Sequence, residues 1–190
     1  MKKIVLPLIF FSLTFGMSCN NAQKEDSTEV AEEKNEEKQD STNTEKLEDD
    51  QEFVVKAASG GLMEVELGKI AAQNAASAKV KEFGQRMVKD HSKANDELKA
   101  LASAKNISIP ATPGEDHQKH IDNLKAKKGA EFDKDYIDMM VDDHEEDIKD
   151  YEKAASDGKD AQIKAFAQSK VLILKQHLEM ARSAKDAVKQ

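Results

Sequence analysis

Residues 79–105 read KVKEFGQRMVKDHSKANDELKALASAK. Val80, Phe83, Met87, His91, Ala94, Leu98 and Leu101 recur at steps of three and four, and charged or polar residues fill the positions between. That spacing puts the apolar side chains on one stripe of an α-helix and the charged ones on the face turned to water. A helix with one apolar stripe has to bury it against a partner, so this segment predicts a helical assembly. His91 lies on the apolar stripe, in the middle of the predicted helix, and that placement opens the functional question.

Outward from this segment the same periodicity recurs. A helix over about 52–76 carries Val54, Ala58, Leu62, Val65 and Ala72 on a stripe; one over about 130–156 carries Phe132, Ile137, Met140, His144, Ile148, Tyr151 and Ala155. The last, over about 160–188, carries Ile163, Ala167, Lys170, Leu174, His177, Ala181 and Ala184. Asn106 to Gly114 is a loop marked by Pro110, Pro113 and Gly114, and a short helix over about 115–128 follows it. The four main helices have matched lengths of roughly 37–43 Å at 1.5 Å per residue. The turns within the first pair and the last pair are short, which makes each an antiparallel hairpin. The expected fold is all-α, an antiparallel four-helix bundle over 52–188 with an extra helix in the connection between its second and third helices. The order of the helices, crossover or up-down-up-down, stays open. Aromatics at 5%, no Trp, eight Gly and three Pro argue against a strand-rich alternative.

The N-terminal quarter has a different composition. Lys2 and Lys3 precede an apolar run from Ile4 to Phe15, the pattern of an export signal over residues 1–18. The run is shorter than the roughly 20 residues a bilayer-spanning helix needs. It ends in Phe15-Gly16-Met17-Ser18-Cys19, which resembles a bacterial lipobox; Phe15 and Gly16 depart from the commonest form. The resemblance implies an acylated (palmitate-type) Cys19 that anchors the chain to a membrane, and several acyl chains hold where one does not. Asn20 in place of Asp resembles the sorting pattern for the outer membrane. Gln23-Lys24-Glu25-Asp26 is similar to the acidic surface-export tag of Bacteroidetes-type lipoproteins, or is simply the start of an acidic stretch. Residues 24–52 carry 13 Asp/Glu against four Lys, whereas 53–190 carry 24 Asp/Glu against 23 Lys/Arg. Residues 19–51 therefore read as a lipidated Cys followed by a solvated, disordered acidic tether, since so few apolar side chains cannot offset the ordering entropy. The nearly neutral helical part has no basic face for nucleic acid. The sole cysteine leaves no disulfide or thiolate site within the chain.

The centres of the four predicted helices fall near residues 64, 92, 143 and 174, and in a bundle of equal helices the middles meet. Glu64, Glu66, His91, His144 and His177 sit at that level. Imidazole nitrogens with a carboxylate suit Zn²⁺, Fe or Cu²⁺. The alternative is a buried polar layer in which the carboxylate accepts from the histidines and fixes helix register. Glu66 lies beside Leu62 and Ile70; Glu64 lies beside Ala57, Gly61 and Gly68, a small-residue strip that lets another helix approach. The pattern leaves both open and favours Glu66. Asp90 and Asp143, each one residue before a stripe histidine, read as solvated carboxylates. His117 and His120 read as solvent-facing, and Met63, Met87, Met139 and Met140 as core. The Glu-x-x-His signature of di-iron bundles is absent: Val88 and Leu174 stand three before His91 and His177. No catalytic residue set and no phosphate loop are marked.

The runs Gly61-Leu-Met-Glu-Val-Glu-Leu-Gly-Lys-Ile-Ala71 and Val80 to Leu98, with Phe132-Asp133, Tyr136, Met140-Val-Asp-Asp-His144 and His177-Leu178, resemble a bacterial family of exported ferritin-like four-helix proteins of unknown function. The resemblance covers about 52–186. It implies a ferritin-like fold in the cell envelope, and maps the family's Glu and His positions onto Glu66, His91, His144 and His177. Three functional readings follow: a non-catalytic, stress-related envelope protein with a Glu/His layer; a metal-binding protein using that layer; and a surface assembly or adhesion module. Protein partners, including a second copy of the chain, are not specified by sequence.

Overall fold

The computed structural model describes residues 25–40 and 47–189. The signal stretch 1–18, Cys19 and the segments 20–24 and 41–46 lie outside the described residues. The chain forms α1 (Ser27–Asp40), α2 (Glu48–Asn74), α3 (Ala78–Ala104), α4 (Glu115–Lys125), α5 (Gly129–Asp157) and α6 (Ala161–Val188). Among the described residues there is no strand, only an isolated β-bridge between Ala75 and Gly129. No described helix is long and apolar enough to cross a membrane.

The helix ends follow local chemistry. Asp160 caps α6, its carboxylate accepting from the amides of Gln162 and Ile163 at 2.9 and 3.1 Å. Asn106, at φ 57°, ends the run after α3, and Gly129, at φ 65°, starts α5 in the left-handed region that glycine enters without strain. Two buried aspartates tie helix ends together across the fold. Asp50, in the first turn of α2, accepts from the amides of Lys159 and Asp160 at 2.9 and 2.6 Å. Asp133, near the start of α5, accepts from the amides of Ala76 and Ser77 at 3.0 and 2.7 Å.

α2 packs along α3 and α5 along α6; α3 also packs on α6, and α2 on α5. α2 and α3 approach closely where glycines face each other. A Cβ on Gly68 would lie 2.5 Å from the Gly84 carbonyl oxygen, and one on Gly84 would lie 2.7 Å from the Ala71 Cβ. The apolar core has two halves. One holds Leu67, Phe83, Met87, Tyr136, Met140 and Leu178; the other holds Val54, Ala58, Leu98, Tyr151, Phe166 and Leu174. Met63, Met87 and Met140 are core, as the helical spacing predicts, with Met139 partly buried against them.

α1 departs from the sequence reading. Residues 27–40 fall within the expected disordered tether, yet they form a helix that packs on α2. Ala31 and Asn35 are buried, and the Asn35 amide grips the backbone of Ser108 twice: its Nδ2 donates to the carbonyl at 3.0 Å and its Oδ1 accepts from the amide at 2.6 Å. Asp26 accepts from Thr28 at the start of α1 and from the Glu115 amide at the start of α4. Directional hydrogen bonds hold this helix with little apolar area, and a composition count does not register them. The 41–51 part of the tether reading also shortens, because α2 begins at Glu48, four residues before the expected start.

Candidate metal centre

Between the two halves of the core lies a polar layer with one side chain from each long helix: Glu64 of α2, His91 of α3, His144 of α5 and His177 of α6. Their relative exposures are 1%, 7%, 0% and 1%. Four polar groups this deep in an apolar core are costly unless each finds a partner. The partners form a chain. Glu64 Oε2 lies 2.5 Å from His91 Nδ1. His91 Nε2 lies 3.3 Å from His177 Nδ1, and His177 Nε2 donates to Asp90 Oδ2 at 2.9 Å. Asp90 is in turn bound by Arg86. His144 stands beside this chain, donating from Nδ1 to the Met140 carbonyl at 2.9 Å.

The outward bonds fix which nitrogens face inward. A carbonyl only accepts, so His144 carries its proton on Nδ1 and turns the Nε2 lone pair to the interior. His177 donates from Nε2 and turns Nδ1 inward; His91, engaged through Nδ1, turns Nε2 inward. One nitrogen from each of the three rings lies within 4.8 Å of the others. His144 Nε2 and Glu64 Oε1 are both buried without a hydrogen-bond partner, and they face each other at 3.4 Å. Two acceptors held against each other inside an apolar core call for a cation or a proton between them.

The ligand atoms fall into two groups, each within 4.8 Å: His91, His144 and His177 in one, Glu64, Asp143 and His144 in the other, with His144 common to both. Ligands about 2.1 Å from a tetrahedral ion are about 3.4 Å apart. His91 Nε2 to His177 Nδ1 is 3.3 Å and His144 Nε2 to Glu64 Oε1 is 3.4 Å. The bonds from His144 to Met140 and from His177 to Asp90 are the outer-side partners that orient ligating imidazoles. Burial keeps the rings neutral, the form a metal takes. It pushes His91 down to about 4 against the charges of Asp143 and Asp90, and His144 down to about 3 with help from His91 and His177. It brings His177 down to about 4 despite the Asp90 bond. Burial holds the Glu64 carboxyl well above the usual carboxylate range. Asp90 goes the other way: burial raises it, but the hydrogen bonds from His177 and Arg86 outweigh that and keep it low.

Of the residues singled out on sequence, the structure brings together His91, His144, His177 and Glu64. Glu66, the favoured carboxylate, is not with them. Its side chain is 45% exposed and lies 3.7 Å from Lys69 Nζ. Position 66 looks to solvent because the Gly61–Gly68 strip, where α2 meets α3, is the buried face, and Glu64 stands on it. Asp90 and Asp143 are not solvated either; their side chains are 11% and 21% exposed. Asp143 Oδ2 is buried without a partner, and burial raises its carboxyl. An acid directly before each of two core histidines was the available signal. His117 also differs from its solvent-facing reading: it is partly buried, and its Nδ1 accepts from Ser59 Oγ at 2.6 Å, while His120 is exposed. The Tyr136 hydroxyl, buried beside the layer without a partner, had no signal in the sequence.

No curated protein and no solved structure matches the chain. One family model does, over residues 34–184, which takes in the end of α1, the whole of α2, α3 and α5, and α6 as far as Ala184. The chain thus belongs to the family described as a domain of unknown function, DUF4142.

Proposed function

We propose that this chain is a lipid-anchored envelope protein whose helical body binds one divalent transition metal, zinc, iron or copper, non-catalytically through Glu64, His91, His144 and His177. The observation that carries the metal is the facing pair of buried acceptors, Glu64 Oε1 and His144 Nε2, beside two more inward nitrogens at ligand spacing. The anchor and the outer-membrane location rest on the residues around Cys19 and on Asn20. The proposed architecture is a ferritin-like antiparallel four-helix bundle. Its support is that Asp50 joins the start of α2 to the end of α5, Asp133 joins the start of α5 to the end of α2, and Lys105 after α3 meets Asp160 before α6 at 2.5 Å. With α2 antiparallel to both α3 and α5, the connection carrying α4 returns along the length of the bundle, a crossover.

A second reading has its own observation. If Glu64 keeps its proton, as its raised carboxyl favours, it donates to His91, His91 donates to His177, and His177 donates to Asp90. That chain needs no ion and fixes the register of three helices. The two readings part on metal content. Purified protein loaded with zinc and desalted should hold one ion per chain by elemental analysis. Glu64→Gln and His144→Gln should fall to background, and Glu66→Gln should stay at one. Background zinc in the wild type would leave the structural layer as the function of these residues.

A further inference from the structure

A groove of about 860 Å³ opens between α1, α2, α4 and α5. Its walls are acidic: Glu32, Glu52, Asp116 and Asp142 line it. The lining Lys56 is tied to Glu146 and Asp150 at 2.6 and 2.8 Å. At its inner end stands Asp143, which lines the groove and also has an oxygen within 4.8 Å of ligand atoms of Glu64 and His144. Asp143 Oδ2, Glu64 Oε1 and His144 Nε2 all lack hydrogen-bond partners, and the last two belong to side chains 2% and 0% exposed. On the α3 and α6 side the layer ends at Asp90, whose carboxylate is already engaged by Arg86 and His177.

We propose that a divalent cation reaches the three histidines from this groove and is held on the way by Asp143, Glu64 and His144, an outer position that shares His144 with the inner group. The inference rests on the metal-binding reading above. The acidic walls concentrate cations at the mouth, and low-dielectric walls focus that field inward. Asp143 then takes the ion from water. His144, which belongs to both groups, and the adjacent Glu64 pass it on without releasing it.

Cobalt(II), which colours when bound by nitrogen and carboxylate ligands, reports the uptake. Full-length metal-free protein is mixed with cobalt in a stopped-flow spectrometer, and cobalt per chain is measured at the end point. Asp143→Asn, nearly isosteric, should slow uptake about tenfold. The Glu32→Gln, Glu52→Gln double variant, remote from all four ligands, should slow it about threefold and weaken its dependence on salt. It decides the matter by itself if Asp143→Asn does not fold. Wild-type rates in the variants would overturn the route. Lost cobalt at equilibrium in Asp143→Asn would also overturn it, by making Asp143 a ligand of the inner site. A wild type that takes up no cobalt would remove the metal-binding reading, and this inference with it.

Discussion

Glu64 and Glu66 are two residues apart on α2, and one is 1% exposed while the other has a side chain 45% exposed. The difference comes from what each meets: Glu64 meets two imidazoles, Glu66 a lysine in water. The histidines make the layer sensitive to pH. Above about pH 6.5 the rings are neutral in both folded and unfolded chains. Between 6.5 and about 4 the unfolded chain binds protons that the folded one refuses, so the three rings withdraw stability as pH falls. Glu64, Asp143 and Asp147, whose carboxyls burial raises, act in the opposite sense, so a difference between variants is the clean readout. His144→Gln should flatten the dependence of unfolding free energy on pH by about 1.4 kcal/mol per unit between about pH 6 and 4. Urea unfolding of metal-free protein at a series of pH values measures it, and equal slopes would mean that His144 charges in the fold. At this scale the sequence showed the three histidines, because each interrupts an apolar stripe at mid-helix. It did not show which carboxylate joins them: the apolar neighbours of Glu66 outweighed the glycines beside Glu64, although glycines mark the face where backbones come closest.

The helices themselves were legible for a plain reason. Apolar residues at three- and four-residue steps have one low-energy solution, and α3 runs from Ala78 to Ala104 against an expected 79–105. α1 was not legible, because a helix held by Asn35 and Asp26 carries no stripe to read. The packing of α2 on α3 makes a sharp prediction about two glycines in one helix. Gly68→Ala puts a methyl 2.5 Å from a backbone oxygen that cannot swing aside, and should cost about 1–3 kcal/mol. Gly60→Ala puts its methyl 3.9 Å from the nearest atom, His117 Cε1, and should stabilise by about 0.5–1 kcal/mol through helix propensity. Urea midpoints of the two variants should move in opposite directions; a shift of the same sign in both would contradict the close approach.

For the whole molecule, the polar layer has a reach that no local feature has. Its four side chains come from α2, α3, α5 and α6, so an ion bound there joins helices far apart in the chain. Binding to the folded state alone adds about 2.7 kcal/mol when free zinc is a hundred times its dissociation constant. For a body of this size that raises the melting temperature by about 5–10 °C. Calorimetry should show the rise in the wild type and its absence in Glu64→Gln. A rise that survives the substitution would place the stabilising ion elsewhere.

α1 precedes the long helices in the chain, and it is fastened to the 106–115 loop and not only to α2. Along the chain, the Asp26 bond to the Glu115 amide and the Asn35 bonds to Ser108 are therefore met before Glu48, so the segment before residue 25 is moored to the far side of the fold before the first long helix begins.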